Sequence, residues 1–209
     1  MNALILFALL GLGSGLVQEK DQKAVYDATR RFTISFPEQW EVYVNFDYGQ
    51  FSGLWNGEPI ANATLSDKCF VTVRNRPVPP GTTTEQYTKQ EAARLDEILP
   101  GFLIETGRLR TGLGTSRTLL TRRDSTNVLS VLVVKDGRLW MIRASVPFKE
   151  HERFVEEVLQ PIVDSMKLGV DQPKGDNVAI VRNSHFRLEY KDGSRSGTIT
   201  HEQALRRKL

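Results

Sequence analysis

From Phe32 the chain alternates. Phe32, Ile34 and Phe36 are apolar and Thr33 and Ser35 polar, and a period of two predicts a strand with one buried face. Pro37 lacks an N–H and ends the pairing. Glu38-Gln39 turn the corner, and Trp40, Val42 and Val44 begin a return strand, so this stretch predicts an opening β-hairpin. The pattern then dissolves. Residues 45–67, NFDYGQFSGLWNGEPIANATLSD, are rich in Gly, Asn, Asp and aromatic side chains and predict a long irregular loop with at most one short strand.

Alternation resumes with Cys69, Val71 and Val73 against Phe70, Thr72 and Arg74, and stops at RPVPPGTTT, where the prolines and Gly81 forbid regular structure. Thr82 followed by Glu85 has the spacing of a capping box and predicts a helix start. Tyr87, Ala92, Leu95, Ile98 and Leu99 recur at helical spacing, and Pro100-Gly101 stop the helix. Four strand patterns follow, at residues 102–110, 116–123, 128–135 and 138–146, joined by turn signals that include Gly112-Leu113-Gly114 and Asp136-Gly137. That spacing predicts an antiparallel meander. Residues 128–134 are almost continuously apolar, which predicts a central strand covered on both faces. Beyond Pro147 a second helix carries Phe154, Val155, Val158, Leu159, Ile162 and Met166 on one face, with a kink expected at Pro161.

Past Leu168 the composition shifts to GVDQPKGDN, a linker of turn-forming residues. The remainder of residues 169–209 predicts a hairpin about Asp192-Gly193 and a short basic helix over 201–209. An extension of this size buries little core of its own. It is expected to dock on the main domain or on a partner.

Composition fits one soluble domain with appendages: 209 residues, 40% hydrophobic and 25% charged. Its first residues differ, because positions 3–17 carry no charge and 18–23 are abruptly polar. Residues 1–17 therefore predict a signal peptide or an N-terminal apolar anchor; Gly13-Ser14-Gly15 offer small residues for cleavage, although Met1-Asn2 lacks the usual Lys or Arg. The expected localisation is exported, periplasmic or extracellular. With Cys69 as the one cysteine, no internal disulfide forms and no N-terminal cysteine is available for lipid attachment. Of the chain's 28 Lys and Arg and 25 Asp and Glu, residues 169–209 hold eight and five, leaving twenty of each in the main domain. That neutral balance gives no basic footprint for nucleic acid.

Residues that carry chemistry are sparse. Gly112-Leu113-Gly114 lacks the third glycine and the strand-to-helix setting of a phosphate-binding loop, and reads as a hairpin turn. Glu150, His151, Glu152, Glu156 and Glu157 gather near a helix start, where acids complement the dipole; they lack the paired histidines of a metal site. Cys69 falls on an inward strand face, where free cysteines are usually inert, and no Gly-x-Ser-x-Gly elbow is present. The expectation is no catalytic residue, no cofactor and no metal. Two contact surfaces are candidates instead. One is the aromatic loop with Phe46, Tyr48, Phe51, Leu54 and Trp55, either a partner contact or a lid folded on the sheet. The other is Arg206, Arg207 and Lys208, either a helix end in solvent or a contact with an anionic membrane surface. Asn62-Ala63-Thr64 fits a glycosylation acceptor.

Phe32-x-Ile34-x-Phe36-Pro37-x-x-Trp40-x-Val42 resembles the start of the PsbP-like superfamily, in which PsbP, Mog and DcrB domains are grouped. The element order over residues 30–168 is similar too, closing with Ser165-Met166-Lys167-Leu168; Gln39 and Met166 depart from the glycine and phenylalanine more usual there. The resemblance implies an α+β fold, an α/β/α sandwich around a central antiparallel sheet, and a largely non-catalytic family that binds other proteins. The functional expectation is thus an accessory module of the cell envelope with an envelope protein as partner. Two alternatives stand beside it: a small-molecule or lipid carrier with a pocket under the 45–67 loop, and an enzyme using Cys69 with a histidine.

Overall fold

A strand pattern says which face is buried but not which strand is its neighbour, and this fold turns on that difference. The computed structural model describes residues 22–44, 58–66, 69–123, 125–175, 177–182 and 185–187. Strands β1 (Gln22–Asp27), β2 (Phe32–Pro37) and β3 (Glu41–Val44) open the fold, followed by β4 (Glu58–Ser66) and β5 (Cys69–Pro77). The segments on either side of Pro37 do not form the expected hairpin: β2 pairs with β1, while β3 pairs with β4 in a second sheet. Trp40 N–H donates to the Pro37 carbonyl at 3.0 Å, and this corner carries the chain from one sheet to the other. Phe32, Ile34 and Phe36 therefore meet Trp40 and Val44 across a shared core. Phe32 stacks on Trp140, ring centres 4.3 Å apart.

The large sheet has the order β3-β4-β5-β9-β8-β7-β6 and is antiparallel throughout. Its second half is the expected meander: β6 (Leu103–Thr111), β7 (Gly114–Arg123), β8 (Thr126–Lys135) and β9 (Arg138–Pro147). Asp136 and Gly137 both take positive φ, 51° and 69°, as a two-residue hairpin turn requires. Strand β8 is buried along nearly its whole length, in line with its apolar run. Where the sequence predicts irregular chain, residues 58–66 form a nine-residue strand; Pro59 and Asn62 weaken the strand signal, and a bulge between Pro59 and Ala61 accommodates the proline.

Helix α1 (Thr84–Ile98) lies on the outer face of the large sheet, with Tyr87 and Leu95 against Leu119, Leu132, Leu139 and Met141. Its cap is Thr83 with Gln86, one residue beyond the expected Thr82 and Glu85, and both reciprocal bonds are made, at 3.2 and 3.0 Å. The Thr82 hydroxyl donates instead to the Pro79 carbonyl, and Glu85 pairs with Arg117.

The opposite, inner face is covered by the second helix and by a small sheet. Helix α2 runs through residues 151–164 after a 3₁₀ turn at Phe148–Glu150, with an α-helical turn His151–Phe154, a π-helical stretch Val155–Leu159 and an α-helical end Gln160–Asp164. Pro161 has no N–H to bond four residues back. Just before it Gln160 N–H reaches five residues back to the Val155 carbonyl, so the irregularity is taken up as a wider turn. Phe154, Leu159, Ile162, Val163 and Met166 enter the core.

The small sheet has the order β10-β2-β1-β11-β12, with β10 (Lys167–Leu168), β11 (Val178–Arg182) and β12 (His185–Arg187). Strand β11 lies parallel to β1. Residues 22–27 and 178–182, on either side of the 30–168 stretch, thus take part in the same sheet. Strands β11 and β12 pair antiparallel. The segment 1–17, the hairpin expected about Asp192-Gly193 and the helix expected over 201–209 lie outside the described residues. Among the described residues, no helix is long and apolar enough to cross a membrane.

Candidate functional site: a groove between the large sheet and the second helix

Of the residues singled out in the sequence, Phe46, Tyr48, Phe51, Leu54 and Trp55, and likewise Arg206, Arg207 and Lys208, lie outside the described residues. Cys69 lies within them. Its thiol is buried and free, and burial, with the Glu150 carboxylate adding to it, pushes its pKa up to about 11. A thiol held there is protonated at neutral pH, whereas nucleophilic cysteines need the pKa lowered by cations or a helix start.

An open groove of about 660 Å³ is formed where the ends of β6, β7 and β8 meet the start of α2. Local sequence explains its shape. Between Leu103, opposite Thr121, and Glu105, opposite Leu120, Ile104 is an extra residue in the β6–β7 ladder, and such a bulge re-aims its side chain. Ile104 is left 47% exposed in the groove wall. At the far side Pro147 ends β9, and Phe148 N–H bonds the Ser125 carbonyl at 2.9 Å. This holds the Phe148 ring, itself 48% exposed, over the end of β7.

Arg122 connects the two walls. Its guanidinium carbon lies 3.9 Å from the Phe148 ring centre, and its Nε–H donates to the side-chain carbonyl of the buried Asn127 at 3.3 Å. Stacking and one fixed bond orient a planar fork of donors that would otherwise be flexible. Lys149, His151, Glu152 and Glu156 complete the rim, so cations and anions face one another around two exposed apolar side chains. Arginine and aromatic residues are over-represented among side chains that dominate protein interfaces. The arrangement suits an amphipathic protein segment.

The acids and imidazole near the start of α2 were legible as a cluster; Ile104, Arg122 and Phe148 were not. A Phe directly after a strand-ending Pro is a weak exposure signal, and the bulge at Ile104 has none. A smaller hollow of about 130 Å³ lies beside α1, where Arg117 first and Lys89 second hold the Glu85 carboxyl below its ordinary range. Among the described residues, no three His, Cys, Asp or Glu side chains are grouped to hold a metal ion.

No protein-family model matches the chain, and no curated protein matches it. Solved structures do. The solution structure of cyanobacterial PsbP (CyanoP) from Synechocystis sp. PCC 6803 is 13% identical with a TM-score of 0.52, over 75% of this chain and 98% of that one. A crystal structure from Bacteroides thetaiotaomicron VPI-5482 is 8% identical with a TM-score of 0.39, over 69% of this chain and 47% of that one.

Proposed function

We propose that this chain, an α+β protein of PsbP-like fold, is an exported, non-catalytic accessory module of the cell envelope that works by holding another protein. The observation that carries this reading is Arg122 laid on Phe148 beside Ile104, a pre-oriented cation between two exposed apolar side chains in an open groove. Pre-orientation matters because ordering long side chains on binding costs about 0.5–1.5 kcal/mol each. The raised Cys69 pKa argues against thiol chemistry. The aromatic segment with Phe51 and Trp55 remains a second contact surface under this reading, and the basic Arg206, Arg207 and Lys208 a membrane-facing one.

Affinity capture of the chain from its native envelope extract, with mass spectrometry of retained proteins and small molecules, tests the proposal. Wild type is compared with Phe148→Ala/Arg122→Ala and, separately, with Phe51→Ala/Trp55→Ala. One protein retained by wild type and lost in the first variant supports the groove as the contact. Loss only in the second moves the contact to residues 45–57. Retention of a lipid or small molecule and no protein refutes the accessory reading in favour of a carrier.

A further inference from the structure

At one end of the inner face, the apolar core between the two sheets gives way to a polar cluster. Asp27 closes β1, Arg30 follows it in the β1–β2 turn, and Glu58, Asn75 and Arg138 are contributed by β4, β5 and β9. Glu58 and Asn75 are direct cross-strand partners, and Asn75 is likewise opposite Trp140. Arg138 is two residues from Trp140 and so shares its face. These are neighbours in one ladder.

Asp27, Glu58 and Asn75 already accept from neighbouring donors. Asp27, fully buried, takes the Thr29 and Arg30 amides on one oxygen and the Arg30 guanidinium on the other. Glu58 Oε2 is shared by the guanidinium groups of Arg30 and Arg138. The Asn75 side-chain carbonyl accepts from Arg138 Nη2 at 2.5 Å. Exchanging the amide oxygen and nitrogen of Asn75 would set donor against donor, so its orientation is fixed.

Three donors are left over. Arg138 Nε, Asn75 Nδ2 and Trp140 Nε1 are each buried without a hydrogen-bond partner, although buried N–H groups in folded proteins are nearly always paired. The acceptors that adjoin them in the ladder, the Glu58 carboxylate and the Asn75 side-chain carbonyl, accept instead from the Arg30 and Arg138 guanidinium groups. Yet the cluster is not sealed: the side chains of Glu58 and Arg138 are 59% and 28% exposed, which leaves a way in from solvent.

We infer that this corner is a binding site for a small oxyanion, a phosphate, sulfate or carboxylate group, received by Asn75, Arg138 and Trp140 between the two sheets. An oxyanion offers several lone pairs and no proton, the complement of three orphan donors, one of them on a guanidinium. Burial, and after it the nearby Arg30, bias Arg138 against its charge, and an anion beside it offsets both effects. The four charges of Asp27, Arg30, Glu58 and Arg138 cancel. Recognition therefore rests on the donors rather than on a net field. All three donors belong to the large sheet, on β5 and β9, so the site acts independently of the groove and its partner.

The test is thermal unfolding of the full chain titrated with inorganic phosphate, sulfate or acetate against chloride at matched ionic strength. Phosphate and sulfate stabilise most proteins non-specifically and without saturation, so the readout is the saturable part and its dependence on Asn75. A ligand at ten times its Kd raises Tm by about 3–6 °C in a chain this size. Asn75→Asp keeps the acceptor for Arg138 and replaces the orphan donor with a carboxylate, and is expected to abolish that rise. Saturation by phosphate or sulfate identifies a tetrahedral oxyanion, saturation by acetate a carboxylate. If Asn75→Asp does not fold, the Arg138 Nε–H and Trp140 indole resonances of the wild type give the same answer, shifting together and saturably with the anion. A linear response shared by wild type and Asn75→Asp, or resonances that stay put, overturns the proposal and leaves the donors to water.

Discussion

A side chain on Gly112 would begin 2.0 Å from the carbonyl oxygen of Met166 and 2.5 Å from that of Asp164. The β6–β7 turn is thus pressed against the end of the second helix, and Gly112 N–H bonds the Val163 carbonyl at 2.9 Å. The glycine is needed for space, since it is not among the positive-φ positions. Gly112→Ala is expected to destabilise the fold by about 1–3 kcal/mol, because the crowding atoms are backbone and cannot swing aside. Urea unfolding with a midpoint equal to wild type would contradict this packing.

The Arg122–Phe148 pair predicts a measurable coupling. In a double-mutant cycle of Arg122→Ala and Phe148→Ala, an exposed cation–π contact gives about 0.5–1 kcal/mol. Both single variants are expected to stay folded, since the two residues lie on the groove surface rather than in the core. Additive effects on stability would mean that the stack does not hold in solution.

For Cys69 the sign of the linkage is fixed by the direction of its shift. The folded pKa, about 11, is above the ordinary value of 9.0, so burial of the neutral thiol contributes its full stability below pH 9 and loses it as pH rises toward 11. Thiol-reactive reagents at pH 7–8 are expected to label the native chain slowly and the denatured chain promptly. Rapid, stoichiometric labelling of the folded protein would revive a catalytic role.

The helix start offers a comparison of neighbours. Thr83→Ala removes the side chain that accepts from Gln86 N–H and is expected to reduce stability by about 0.5–2 kcal/mol. Thr82→Ala removes only the bond to the Pro79 carbonyl and is expected to have a smaller effect. A larger loss in Thr82→Ala than in Thr83→Ala in chemical denaturation would place the cap at Thr82.

Strand β1 supplies Val25 and Tyr26 to the core and pairs on both sides, with β2 and β11. A chain starting at residue 30 is expected to lose cooperative unfolding, while one starting at residue 18 keeps it. Calorimetry on the two separates them directly.

The boundary of what could be read in the sequence falls between local and non-local information. The meander from β6 to β9 and the helix over it were legible because Asp136-Gly137, Pro100-Gly101 and the periodicities are local signals, and each element neighbours the next. Pro37 was legible as a corner, but whether Trp40 returns along β2 or crosses to another sheet depends on β4, which is far along the chain. Strand β1, QKAVYD, begins with polar residues after the uncharged stretch at positions 3–17 and has only Val25 and Tyr26 to announce it. In the groove, the acids before α2 could be seen as a cluster. Arg122 and Phe148 could not, because 26 positions separate them and only the β9 return and the Phe148–Ser125 bond bring them together.

Parallel pairing of β1 with β11 sets a timetable. Ala24 is aligned with Val178 and Asp27 with Val181, so one of the earliest described strands has as its neighbour one of the last. During synthesis, residues 22–27 wait beside β2 with one edge unpaired until more than 150 further residues have followed. Such long-range closure is slow, and an unpaired edge meanwhile is open to the wrong strand. The meander and α1, built from near neighbours, can form within that interval. The small sheet cannot be completed before β11 arrives, because it joins the two ends of the described chain.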